Sequence, residues 1–220
     1  MHKKHIYAGL LALSSLASAP AFAASVVNFT FDAGTNVLVN GHDVAAHPDI
    51  SNISAWSVRD GVSVDNGLTG KPNTGRALGG RNFGTGGVGD PEGNEFRVSF
   101  DVIGSLSLDS FSFWEQGSSG PNGLGPVSWI LFINDINVGS GSATQGNGGQ
   151  DHSGGLNLSD LTGTVNVRVF ATGAANDATA TWRIDNFALE GTVAPVPLPA
   201  SLPMLVGALG LLGVARRRRA

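Results

Sequence analysis

The chain has 220 residues, 41% of them hydrophobic, with 32 glycines and no cysteine, which excludes disulfides and thiolate metal sites. Its formal net charge is −4, yet residues 24–195 hold one Lys and six Arg against thirteen Asp and four Glu, a net charge of −10. So acidic a segment lacks the clustered Lys and Arg that phosphate contacts need, and nucleic acid is excluded as an expected partner.

Met1 to Ala23 opens with Lys3 and Lys4, continues as an apolar run from Ile6 to Leu16, and ends in Ala21-Phe22-Ala23 before Ala24. A basic start, a short apolar run and a small-x-small site form the pattern of a secretory signal peptide. The run is too short to span a bilayer. Cleavage is expected after Ala23.

The segment that follows reads as strands separated by Gly, Asn, Ser and Asp, with no sustained helical period. Val27, Phe29 and Phe31 share one side of a first strand. Short strands are expected at Ala55 to Val58, Val62 to Val64 and Arg76 to Leu78. Phe96, Val98, Phe100 and Val102 alternate with Arg97, Ser99 and Asp101, the mark of a half-buried antiparallel strand. From Leu106 to Trp114 the apolar parity changes, which predicts a bulge or bend near Asp109-Ser110. Val127 to Ile133 is apolar on both faces and is expected to be central; Asn134-Asp135 then turns the chain back into Ile136 to Val138. Gly139 to Gly155 reads as one long loop. Val165, Val167 and Val169 alternate, and a last strand from Thr181 to Glu190 changes parity at Asp185-Asn186. About eight or more strands with glycine-rich connections predict an all-β fold, an antiparallel β-sandwich of jelly-roll type.

At the C-terminal end stands Val196-Pro197-Leu198-Pro199-Ala200, then an uncharged stretch from Leu202 to Ala215, then Arg216, Arg217, Arg218 and Arg219. As a helix at about 1.5 Å per residue, residues 196–215 would cover roughly 30 Å, the thickness of a bilayer core. Four arginines beyond it would hold the end on the cytoplasmic side. This order of motif, helix and basic cluster resembles the PEP-CTERM class of bacterial sorting signals, in its VPLPA variant. The resemblance implies recognition by an exosortase-type processing enzyme, transit through the inner membrane, and delivery to the cell surface or extracellular matrix. An ordinary C-terminal membrane anchor is the alternative. The expected organisation is a signal peptide over 1–23, a β-sandwich over 24–192, and a linker with sorting signal and transmembrane helix over 193–220.

A second resemblance covers the sandwich. Phe29-Thr30-Phe31-Asp32, Trp56 near Gly61, and Trp182-Arg183-Ile184-Asp185-Asn186-Phe187-Ala188-Leu189 look like the first and last strands of carbohydrate-binding-module-like jelly rolls. In such modules these strands are neighbours, and carboxylates there can hold a structural calcium, which implies Asp32 and Asp185 as candidate ligands.

Catalytic constellations are scarce. A serine hydrolase needs a nucleophile at a sharp turn and a histidine beside it; no Gly-x-Ser-x-Gly occurs, and His42, His47 and His152 all fall in expected loops. The spacing of His42 and His47, near Asp43 and Asp49, fits neither a helix face nor alternate strand positions. Glycoside hydrolysis needs two carboxylates across a cleft, for which Glu115 and Glu92 or Glu95 are the candidates. Asp90 and Glu92 lie in an oxygen-rich loop suited to calcium but without EF-hand spacing. Gly84 to Gly89 lacks the Lys-Ser/Thr of a phosphate loop. Of the tryptophans, Trp129 and Trp182 are expected in the core, and Trp114 is the candidate platform for a sugar ring. The expectation is a non-catalytic exported protein associated with extracellular polysaccharide, with a secreted carbohydrate hydrolase as the alternative.

Overall fold

A computed structural model describes residues 24–31, 44–58, 77–81, 83, 95–118, 125–146, 148–174 and 180–194. The expected leader, the expected sorting signal and transmembrane helix, Val62 to Val64, and Asp32, His42, Asp90 and Glu92 lie outside these residues. Among the described residues no helix is long and apolar enough to cross a membrane.

The described residues form ten strands: β1 (Ala24–Phe29), β2 (Val44–Ala46), β3 (Ile50–Ser51), β4 (Ser57–Val58), β5 (Leu78–Arg81), β6 (Glu95–Gly117), β7 (Ser128–Ile133), β8 (Ile136–Ser142), β9 (Gln150–Thr172) and β10 (Thr181–Ala194). All strand pairs are antiparallel, in the order β2-β1-β10-β6-β9-β7-β8, with β3 and β4 against β6 and β5 against β10. The chain is thus an all-β, jelly-roll-like sandwich.

Two 23-residue strands, β6 and β9, make the sandwich from one ladder. Residues 95–102 of β6 pair with 163–170 of β9, and residues 106–115 pair with 150–161. The register shifts between Val102 and Leu106, where Gly104 (φ 113°) and Gly163 (φ 68°) take positive φ. Glycine adopts such angles without a Cβ clash, so both strands turn together there. The first half of β6 continues into the layer of β3, β4, β7 and β8, while its second half lies in the layer of β1, β5 and β10.

Alternation then decides the core. Phe96, Val98, Phe100 and Val102 are buried, as the sequence pattern predicts, and meet rings of the other layer: Phe96 stacks on Trp182 at 5.5 Å, and Trp129 meets Phe113 edge-on at 5.0 Å. Trp56 meets Phe29 and Phe187 edge-on at 5.3 and 5.4 Å. Full burial of each such ring contributes about 1.5–3 kcal/mol.

The expected parity changes are bulges. Ser110 faces Glu190 and Leu108 faces Gly191, leaving Asp109 as an extra residue, so Leu106, Leu108, Phe111 and Phe113 all reach the interior. In β10, Asp185 faces Trp114 and Ala188 faces Ser112, and Asn186 has φ 50°. The Asn134-Asp135 turn has positive φ at both residues (47° and 66°), the geometry of a tight two-residue hairpin.

Three expectations need correction. The strand placed at Arg76 to Leu78 lies at Leu78–Arg81. Val127 to Ile133 does not bury both faces: Trp129, Leu131 and Ile133 are buried, while Ile130 and Phe132 are half-buried. Gly139 to Gly155 is not one loop, because β8 runs to Ser142 and β9 starts at Gln150. Gly139, Gly141 and Gly154 are strand residues lying under rings. A Cβ at Gly141 would come within 2.8 Å of the Trp129 indole, and one at Gly154 within 2.6 Å of the Phe111 ring. Composition read as loop is in fact clearance for aromatic packing.

Candidate functional site

Side chains on one face of β6, β9 and β10 open onto a cleft of about 310 Å³. Ser112 faces Ser153 across the β6–β9 pair, and Trp114 faces Asp151 one rung along. The β10 bulge adds Asn186, and Phe113 and His152 complete the lining. Ser112, Asp151, Ser153 and Asn186 are exposed. Among the described residues none of these four side chains has a hydrogen-bond partner.

Beneath this face lies a buried polar node. Glu115 is 0% exposed. Its Oε1 accepts the Thr144 N–H at 2.7 Å and lies 3.3 Å from His152 Nε2; its Oε2 accepts the Trp182 indole N–H at 2.8 Å. A carboxylate buried without donors would be costly, and these contacts supply them. The His152 ring packs between Phe113 and Trp129, with centroids 5.2 and 4.9 Å away. His152 is therefore a residue of β9 and not, as expected from sequence, a solvated loop histidine.

The outer face of the other layer is polar too, but its groups bind one another. Asp101 accepts hydrogen bonds from Thr164 (2.6 Å) and Asn52 (2.8 Å), and these, Thr164 first, hold its carboxyl below the usual carboxylate range. Glu95, 1% exposed, is hydrogen-bonded by Arg97, with Arg168 Nη1 at 3.5 Å as an ion pair. Arg168 also bonds Asp135 at 2.5 Å and lies over the Phe132 and Phe170 rings.

The sequence candidates fall as follows. Glu95 and Glu115 share β6, but Glu95 lies on its outer side and Glu115 in the interior; both are buried and engaged, so they do not form a pair open to a substrate. Trp114 lines the cleft yet is only 5% exposed, because the Gly149 backbone lies against its indole. It is a wall and not an open platform. Trp129 and Trp182 are core residues, 4% and 0% exposed. Asp185 is 1% exposed and accepts the Asn186 N–H at 2.7 Å. Among the described residues no three His, Asp or Glu side chains cluster as metal ligands. Ala24 opens β1; Ala21, Ala23, Val196 to Ala200 and Arg216 to Arg219 fall outside the described residues.

Four cleft residues, Ser112, Asp151, Ser153 and Asn186, escaped the sequence reading. Ser110, Ser112 and Trp114 alternate with buried Phe111 and Phe113, a usable signal for one face. That residue 112 lies opposite residue 153 was not readable without the strand pairing.

No protein-family model matches the chain, and no curated protein matches it. Among solved structures, the chain is similar to the family 22 carbohydrate-binding and xylanase modules of a Clostridium thermocellum endo-1,4-β-D-xylanase bound to xylohexaose. That match has 10% identity and TM-score 0.47, covering 80% of this chain and 30% of the xylanase. It is also similar to a family 61 module bound to β-1,4-galactotriose (19% identity, TM-score 0.37, 62% and 88% covered). A third is a family 36 domain of a xylanase from the hindgut metagenome of Trinervitermes trinervoides (15% identity, TM-score 0.35, 66% and 100% covered).

Proposed function

We propose that this chain is an exported bacterial surface or matrix protein, sorted through its C-terminal tail by an exosortase-type enzyme, whose sandwich holds extracellular polysaccharide without cleaving it. One observation carries the binding part: the cleft presents two hydroxyls, a carboxylate and an amide with no partner among the described residues. Polyhydroxylated ligands are recognised by such convergent donors and acceptors beside a ring. The buried, engaged state of Glu95 and Glu115 supports the non-catalytic reading.

Sorting rests on Val196 to Ala200, the apolar stretch after it, and Arg216 to Arg219. Mass spectrometry of the mature protein tests it: a C-terminus near Ala200 is expected, whereas an intact arginine tail in the membrane fraction contradicts processing. Incubation with the host's polymer tests the rest. Retention with no new reducing ends is expected; reducing ends that accumulate with time would establish the hydrolase instead.

A structural calcium belongs to the same proposal. Asp185 supplies one buried carboxylate, and the further oxygens that calcium requires would come from Asp32 or from elsewhere outside the described residues. Asp90 with Glu92 is the other candidate pair. Calcium at millimolar concentration should raise the melting temperature by several degrees over chelator-treated protein, and coincident melts would remove calcium from the account.

A further inference from the structure

Resting on that reading of the cleft, we propose that it selects its sugar by charge: it admits neutral or amine-bearing residues and rejects uronates and sulfated sugars. Among the described residues Asp151 is the one carboxylate that lines it, exposed and without a partner, and no Lys or Arg lines it. The surrounding charge has the same sign. One rung from Ser112, Glu190 stands on the same face, bonded to Ser110 at 3.0 Å. On the far side of Trp114, Arg183 is turned to Gln116 Oε1 at 3.3 Å and does not reach the lining. Asp185, opposite Trp114 across the β6–β10 pair, and Glu115 on the interior side are both buried. An entering carboxylate or sulfate would therefore approach Asp151 with no cation of the described lining to offset the repulsion, inside a domain that already carries a net charge of −10. An ammonium group would find in Asp151 an acceptor, and the Ser112, Ser153 and Asn186 side chains serve neutral hydroxyls.

The other polar face makes the contrast. There Arg97 and Arg168 are the available cations, and both are held by Glu95 or Asp135. Among the described residues, charge selection thus belongs to the cleft.

Calorimetric titration of the full chain in detergent, at low and at physiological salt, tests this with four hexasaccharide or shorter probes: xylohexaose and a β-1,4-galactotriose (neutral), a glucosamine oligomer (cationic) and a galacturonate oligomer (anionic). The neutral and glucosamine probes should bind at least tenfold tighter than galacturonate at low salt. Asp151→Asn, an exposed substitution whose melting curve should match wild type, should shrink the gap to galacturonate at least threefold and abolish any glucosamine advantage. Equal or tighter binding of galacturonate, or an unchanged gap in Asp151→Asn, overturns charge selection while leaving sugar binding standing. Failure of every probe and of the host polymer overturns the binding reading itself.

Discussion

Glu115 ties three parts of the molecule together through its two oxygens: β9 through His152, the β8–β9 connection through Thr144, and β10 through Trp182. Glu115→Ala would leave the Trp182 and Thr144 N–H groups buried without their acceptor, and should cost about 3 kcal/mol. Glu115→Gln retains one acceptor oxygen but turns an amide NH2 to the other N–H, and should cost about 2 kcal/mol, less than the alanine variant. Urea midpoints of the two variants check this, and equal losses would contradict the stated role of the oxygens. Asp101 makes a separate pH prediction. Its folded-state carboxyl is held low by Thr164 and Asn52, so its contribution is present above the unfolded-state pKa and is lost as pH falls through the folded value. Unfolding midpoints of wild type should therefore drop on acidification below about pH 4, and Asp101→Asn should lose part of that drop. A wild-type slope retained in full by the variant would assign it to other groups.

At the scale of elements, β9 carries the clearest consequence of ring clearance. Gly154 lies under the Phe111 ring, whereas a Cβ at Gly155 would meet only the Asp109 carbonyl, at 4.0 Å. Gly154→Ala should then cost about 1–3 kcal/mol by overpacking, and Gly155→Ala should stay within about 0.5 kcal/mol of wild type. Thermal unfolding of the pair decides between clearance and mere flexibility. The same glycines explain what was legible beforehand. Strands whose apolar residues alternate, such as Phe96 to Val102, were readable, as was the Asp109 bulge, because period and parity are local properties. The glycine-rich end of β8 after Val138 and the start of β9 were not, since a glycine that makes room for a ring looks the same in sequence as one that serves a loop. The site was half legible: Trp114 and Glu115 stood out by type, but the cleft depends on pairing Ser112 with Ser153, a contact that only the folded β6–β9 ladder provides.

Across the whole molecule, one bent ladder gives two polar outer faces with different fates. On one, Asp101 is bonded by Thr164 and Asn52, Glu95 by Arg97, and Arg168 by Asp135; on the other, the side chains of Ser112, Asp151, Ser153 and Asn186 are exposed with no partner among the described residues. The proposed binding face rests on that asymmetry. Filling each face in turn and sedimenting the full chain with the host's extracellular polymer measures it most directly. Wild type and Asn166→Trp, on the face of Asp101 and Thr164, should be retained alike, while Ser153→Trp, which occupies the cleft, should lose at least tenfold in retention. Retention that survives Ser153→Trp and fails in Asn166→Trp would contradict the account.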